Sequence, residues 1–159
     1  MNKTCFNGLF RVNKSGQFNV PMGSYKNPQI FSKKEIMAVS KALEGVDIEA
    51  AAYQDVLNHA KSGDFVYFDP PYMPISKTSS FTSYTKFPFG EIEQTELRDL
   101  FKKLDQMGCK VMLSNSWVDL ILNLYKEFFL IEVKAIRAIN CDAEKRGKIS
   151  ELLVTNYEI

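Results

Sequence analysis

Four consecutive residues, Asp69, Pro70, Pro71 and Tyr72, combine groups that can act on a planar amine. Asp69 offers a carboxylate acceptor, and Pro70 offers a carbonyl on a backbone whose φ is fixed and which has no N–H of its own. Together they can accept both hydrogens of one amino group. The lone pair of such an amine is delocalised into its ring or carbonyl, and drawing on both N–H bonds favours the pyramidal, nucleophilic form as the transition state develops. Tyr72 supplies a flat face on which a ring can stack. The set suits alkylation of an exocyclic amine on a heterocycle. A plain Asp-Pro turn with a tyrosine packed in the core would use the same residues.

The elements around the tetrapeptide place it where ligands bind. Phe65, Val66 and Phe68 form a short apolar run opened by Ser62-Gly63 and closed by the prolines, which reads as a strand covered on both faces. The polar turn follows its carboxyl end, the ligand-binding end of strands in open α/β sheets. Residues 73–90, rich in Ser, Thr, Phe and Pro, are long for a connection and suit a binding loop in which Phe81 and Tyr84 could stack on a base. Residues 91–107 carry Leu97, Leu100, Phe101 and Leu104 at helical spacing, with Gly108 as the stop. Strands are expected at 110–115, 128–134 and 151–156, a helix from near Trp117, and a polar loop at 140–148. This β-α-β-α-β order with a closing hairpin fits half of an open, Rossmann-like sheet.

Upstream, residues 9–13 and 17–20 read as two strands around Lys14-Ser15-Gly16. A two-stranded ribbon fits the DNA major groove. Arg11 could pair with guanine as a fork, and Asn7, Asn13 or Asn19 could serve adenine or backbone contacts; an ordinary surface hairpin is the plainer alternative. Tyr25 and Lys26 follow in a loop. Ser32-Lys33-Lys34-Glu35 is a capping-box pattern opening a helix with Ile36, Val39, Ser40 and Leu43 on one face, ended by Gly45. A short strand is expected at 46–49, then a helix turning Tyr53, Val56, Leu57 and Ala60 inward. His59, the one histidine, has no partner pattern and reads as a helix residue.

A chain of 159 residues with 25% charged residues is about one domain of ordinary soluble composition. It has no apolar run of membrane-spanning length and no signal-peptide opening, which points to the cytoplasm. Three cysteines without close spacing support neither a disulfide framework nor a metal site. The net charge of +1 does not advertise nucleic-acid binding, but the first 34 residues hold six cations (Lys3, Arg11, Lys14, Lys26, Lys33 and Lys34) and no acid.

Asp69-Pro70-Pro71-Tyr72, followed by Pro74-Ile75-Ser76 and by Ser80-Phe81-Thr82-Ser83-Tyr84, resembles the signature and active-site loop of Dam-type DNA adenine-N6 methyltransferases, the D12 class. Asn7-Gly8-Leu9-Phe10-Arg11-Val12-Asn13 and Phe18-Asn19-Val20-Pro21 are similar to that family's target-recognition hairpin. The resemblance implies a partial Rossmann-like α/β methyltransferase sheet, with a target-recognition segment of hairpin and helix at 1–45 and a catalytic portion at 46–159. It implies methyl transfer from S-adenosylmethionine to a flipped adenine in double-stranded DNA, with a GATC target. Asp69, Pro70, Pro71 and Tyr72 would be catalytic, and Asp69 and Phe68 would touch the cofactor. Asn7, Leu9, Arg11, Asn13, Pro21, Tyr25, Lys26, Phe81 and Tyr84 would meet DNA.

The family's Gly-x-Gly cofactor turn does not occur in this sequence. The resemblance therefore implies a carboxyl-terminal portion, with the strand at 65–68 paired on one side by a segment carrying that turn. A cofactor-binding half, or a second copy at the exposed sheet edge, is the partner so implied. A DNA-binding remnant without catalysis, or one half of a split enzyme, is the alternative. Amide methylation on protein is a weaker one, because it goes with Asn-Pro-Pro-Tyr and leaves the hairpin unexplained.

Overall fold

The computed structural model describes residues 3–13, 15–75, 89–136 and 148–159. The chain divides into two compact units, Met1–Ala50 and Ala51–Ile159.

In the first unit the chain reverses direction with antiparallel register but little ladder. Val12 pairs with Phe18 and Cys5 with Met22 as isolated bridges, and no continuous strand forms among the described residues. The expected strands at 9–13 and 17–20 thus shrink to one bridge, flanked by Asn13 N donating to Gln17 O at 2.8 Å and Asn19 N to Arg11 O at 3.1 Å. The turn is closed by side chains. Asn13 Oδ1 accepts from the backbone of Ser15 and Gln17, and Arg11 Nε donates to Asn19 Oδ1 at 2.9 Å. Two-stranded ribbons are marginal alone, so these local bonds substitute for a third strand.

The capping box predicts the start of the next helix. Helix α1, Lys33–Ala42, begins with the Ser32 hydroxyl accepting from Glu35 N at 3.3 Å. It buries no residue: Ile36, Met37, Val39 and Leu43 all stay exposed. Residues 46–49 are not a strand. Val46 and Ile48 alternate with acids as a strand would, but a strand needs a ladder partner, and none exists among the described residues.

The second unit holds the sheet and the core. Tyr53–Asn58 winds as a 3-10 helix where an α-helix was expected, and Tyr53, Val56, Leu57 and Ala60 do pack on the core. Strand β1, Phe65–Phe68, runs parallel to β2, Lys110–Ser116, with Phe68 opposite Leu113. Helix α2, Glu91–Gln106, lies between them in sequence and buries Leu97, Leu100, Phe101 and Leu104 against Val111, Leu113, Leu152 and Val154. Gly108, at φ +83°, ends α2, and its carbonyl accepts from Gly63 N at 2.9 Å, which brings β1 and β2 into line from the start. Asn156 stitches the same turn, accepting from Val111 N and donating to Asp105 Oδ1 and the Cys109 carbonyl.

After α3, Asp119–Leu124, the hairpin of β3, Phe129–Ile136, and β4, Lys148–Thr155, closes the sheet. Strand β4 inserts antiparallel between β2 and β3, giving the order β1-β2-β4-β3. The result is a mixed α/β fold with β1 at one edge. One expectation for β1 is corrected. The strand is covered on one face only: Val66 and Phe68 lean on the core, while Phe65 and Tyr67 are 57% and 51% exposed. Alternation along a pleated strand separates these pairs, and an all-apolar run conceals which face lacks a cover.

Candidate active site at the end of strand β1

Strand β1 delivers Asp69 one residue past its last ladder pair, beside Ser114 of β2. Tyr67 and Asp69 are two residues apart and share a face, and Ser114 lies on the same face of the neighbouring strand. Ser114 Oγ donates to Asp69 Oδ1 at 2.7 Å and accepts from the Tyr67 hydroxyl at 2.9 Å.

The opposite face anchors the proline turn. Asn115 and Gln94 are fully buried, and Asn115 Nδ2 donates to Gln94 Oε1 at 3.0 Å. Gln94 Nε2 in turn donates to the Pro71 carbonyl at 2.9 Å, while Asn115 Oδ1 accepts from Met73 N at 3.0 Å and Ser116 N at 2.8 Å. The turn is held on both sides of Tyr72. Pro71's carbonyl is committed to this network, whereas that of Pro70 makes no backbone bond among the described residues. Sequence reasoning missed Gln94, Asn115 and Ser114. A signal was present for two of them: Gln94 stands on the same helical stripe as Leu97 and Phe101, and Asn115 alternates with Val111 and Leu113. Polar residues at core positions are retained only when their bonds are satisfied.

Asp69, Pro70 and Pro71 line a cavity of about 250 Å³ with Tyr53, Tyr67 and Phe89. Tyr53 meets Phe89 edge-on, ring centroids 5.9 Å apart, and its hydroxyl donates to Glu96 Oε2 at 3.3 Å. Burial, then the Glu96 carboxylate, pushes the Tyr53 phenol above its ordinary pKa, so it stays a neutral donor. Phe68 also lines the cavity. Tyr72 does not: half-buried, it has Ser114, Asp69 and Glu151 as its polar neighbours, and burial pushes its phenol up. The flat walls of this cavity are Tyr53, Tyr67 and Phe89.

The residues expected to meet DNA, other than Phe81 and Tyr84, sit in the first unit. Arg11 is exposed, its Nε on Asn19 Oδ1 and its Nη2 on the Asn19 carbonyl. Asn13 is engaged in the turn through Oδ1 and, through Nδ2, with Gln17. Asn7 lies in the 3-10 turn Phe6–Gly8, Leu9 follows it, and the Pro21 carbonyl accepts from Phe6 N at 2.9 Å. The Tyr25 hydroxyl donates to the Cys5 carbonyl, its ring covering Gly23, where a Cβ would clash with the ring. Lys26 is exposed, and among the described residues no ion pair involves Lys3, Arg11, Lys26, Lys33 or Lys34. Phe81 and Tyr84 lie outside the described residues, as does Cys141. No group of acids, histidines and cysteines among the described residues could hold a metal, and no described helix is long and apolar enough to cross a membrane.

Residues 1–139 match the family of D12 class N6 adenine-specific DNA methyltransferases. The chain is 51% identical over 159 residues to the type II methyltransferase M.MjaIII of Methanocaldococcus jannaschii, covering 99% of this chain and 55% of that protein. It is 49% identical over 154 residues to the type II methyltransferase M1.LlaDCHI of Lactococcus lactis subsp. cremoris, covering 96% of this chain and 54% of that protein. It is 38% identical over 154 residues to the DNA adenine methylase of Vibrio cholerae, with 96% and 55% covered. The chain spans about half the length of the curated relatives it matches.

Proposed function

Because the chain belongs to the D12 class of N6 adenine-specific DNA methyltransferases, we propose that its second unit holds the exocyclic amine of an adenine turned out of duplex DNA, for methylation at N6. The observation that carries this reading is that Asp69 and Pro70 together line an aromatic-walled cavity. Asp69 Oδ2 and the Pro70 carbonyl accept the two amine hydrogens. As the nitrogen pyramidalises, those acceptors face growing positive charge, so they bind the transition state better than the flat amine. Tyr53, Tyr67 and Phe89 give the extruded ring apolar walls and keep water from the nitrogen.

S-adenosylmethionine, when bound, supplies the electrophilic methyl group. The residues in hand fit part of it: Asp69 and Phe68 at the end of β1 can meet the amino group and chain of its methionine end. A Gly-x-Gly turn able to approach a nucleoside closely is not in the sequence. The donor's adenosine must find its cradle in sequence that the relatives carry and this chain does not span.

The first unit reads the target, with Arg11 to a guanine and Lys26 to phosphate, and GATC is the site proposed. Arg11 is already oriented by Asn19, so its outer guanidinium edge is presented at little entropic cost. Arg11→Ala should relax preference at one base pair by about 2 kcal/mol, roughly thirtyfold in relative affinity. Lys26→Ala should weaken all duplexes alike and lower the slope of affinity against salt. Titrations of GATC and scrambled duplexes at two salt concentrations measure both. If Arg11→Ala weakens the two duplexes equally, its contact is to phosphate and the readout is elsewhere.

A further inference from the structure

We propose that Ser114 is a positioning residue for the methylation step: it locks the Asp69 carboxylate in one orientation, and Tyr67 sets the direction in which the Ser114 hydroxyl points. The inference rests on the reading of Asp69 given above. Its warrant is the run of bonds from Tyr67 Oη to Ser114 Oγ at 2.9 Å and from Ser114 Oγ to Asp69 Oδ1 at 2.7 Å. The serine hydroxyl has one proton, which it donates to Asp69 Oδ1 while accepting from Tyr67 Oη; Tyr72 is a further polar neighbour of that hydroxyl.

Three consequences follow from that polarity. Oδ1 already accepts one bond, so Oδ2 is the oxygen with both acceptor sites open to an incoming amine. The carboxylate plane is fixed, although Asp69 itself is exposed and would otherwise turn freely about χ1 and χ2. The Tyr67 ring, about half exposed on its side of β1, is tied back through its hydroxyl and held as a wall of the cavity. Ser114 itself is 8% exposed, so water competes little for its hydroxyl.

The test separates this inference from the reading beneath it. In the 159-residue chain, the vicinal couplings of the Asp69 β-protons report its rotamer without any need for turnover. A single rotamer is expected in the parent and in Ser114→Thr, which keeps an Oγ, and an average over rotamers in Ser114→Ala. In the chain joined to the part of a relative that it does not span, Ser114→Ala should lower kcat about tenfold while KM for DNA stays within twofold. Ser114→Thr should recover most of that loss, which a merely structural role would not predict. Unchanged Asp69 couplings in a folded Ser114→Ala chain would overturn the positioning role. Altered couplings together with an Asp69→Ala enzyme of undiminished rate would keep the positioning role as geometry and sink the catalytic reading instead.

Discussion

Asp69→Ala should slow single-turnover methyl transfer about a hundredfold while leaving duplex affinity within a factor of two or three. The measurement belongs in the chain joined to the part of a relative that it does not span. In the proposed role the carboxylate accepts from an amine whose N–H bonds become more acidic as the nitrogen turns nucleophilic, so its contribution would be largest at the transition state. Loss of one such acceptor costs about 3 kcal/mol in the barrier. Duplex affinity depends chiefly on phosphate contacts, to which a carboxylate is not suited. Asp69→Asn is an informative companion, because it keeps shape and one acceptor oxygen but presents an NH2 group to Ser114 or to the amine. A rate for Asp69→Ala equal to the parent's would remove Asp69 from the chemistry, and a parallel fall in DNA affinity would give it a binding role.

The largest stability effect within the second unit, among polar substitutions near the site, is expected at Asn115. Its side chain is fully buried and serves three partners: Gln94 Oε1, Met73 N and Ser116 N. Truncation to alanine strands all three where water has little access. Each orphaned group costs about 1–3 kcal/mol, but relaxation recovers part of the sum, so a net loss of about 3 kcal/mol is expected for Asn115→Ala. Urea unfolding followed by far-ultraviolet circular dichroism gives the number. The amide of Met73 should exchange with solvent much faster in the variant, since it loses its one acceptor. A loss below about 1 kcal/mol would mean that the network is dispensable and that the proline turn is held by its own ring constraints.

Much of the second unit was legible in the sequence because its elements have clean periods. Leu97, Leu100, Phe101 and Leu104 mark α2, and Gly108 supplies the left-handed residue that stops it. Short apolar runs mark β1 and β2. What stayed hidden depends on partners that sequence spacing does not name. An all-apolar strand such as 65–68 does not reveal which face is covered, and residues 46–49 alternate correctly yet find no ladder. In the first unit the hairpin's turn was readable from Lys14-Ser15-Gly16, while the shortness of its pairing reflects side-chain bonds from Asn13 and Arg11 that compete with a ladder.

The tetrapeptide Asp69–Tyr72 was visible as candidate chemistry, and its setting was not. Tyr72 was the expected stacking face; the cavity that Asp69 lines also has aromatic walls the sequence did not single out, Tyr53 and Phe89, together with Tyr67. Those three share no motif: Tyr53 stands in the 3-10 helix, Tyr67 in β1 and Phe89 just ahead of α2. Ser114, too, is one residue in an apolar strand until β1 and β2 are set side by side with Phe68 opposite Leu113.

The most direct test of the central claim is the identity of the product. A GATC duplex incubated with S-adenosylmethionine carrying a labelled methyl group, and with the chain joined to the part of a relative it does not span, is digested to nucleosides and resolved by chromatography and mass spectrometry. The predicted result is label in N6-methyl-2′-deoxyadenosine alone, with the initial rate of labelling lowered about a hundredfold by Asp69→Ala. Label on a cytosine, on protein, or on DNA that survives Asp69→Ala undiminished would contradict the assignment of Asp69 and Pro70 as the groups that hold the adenine amine.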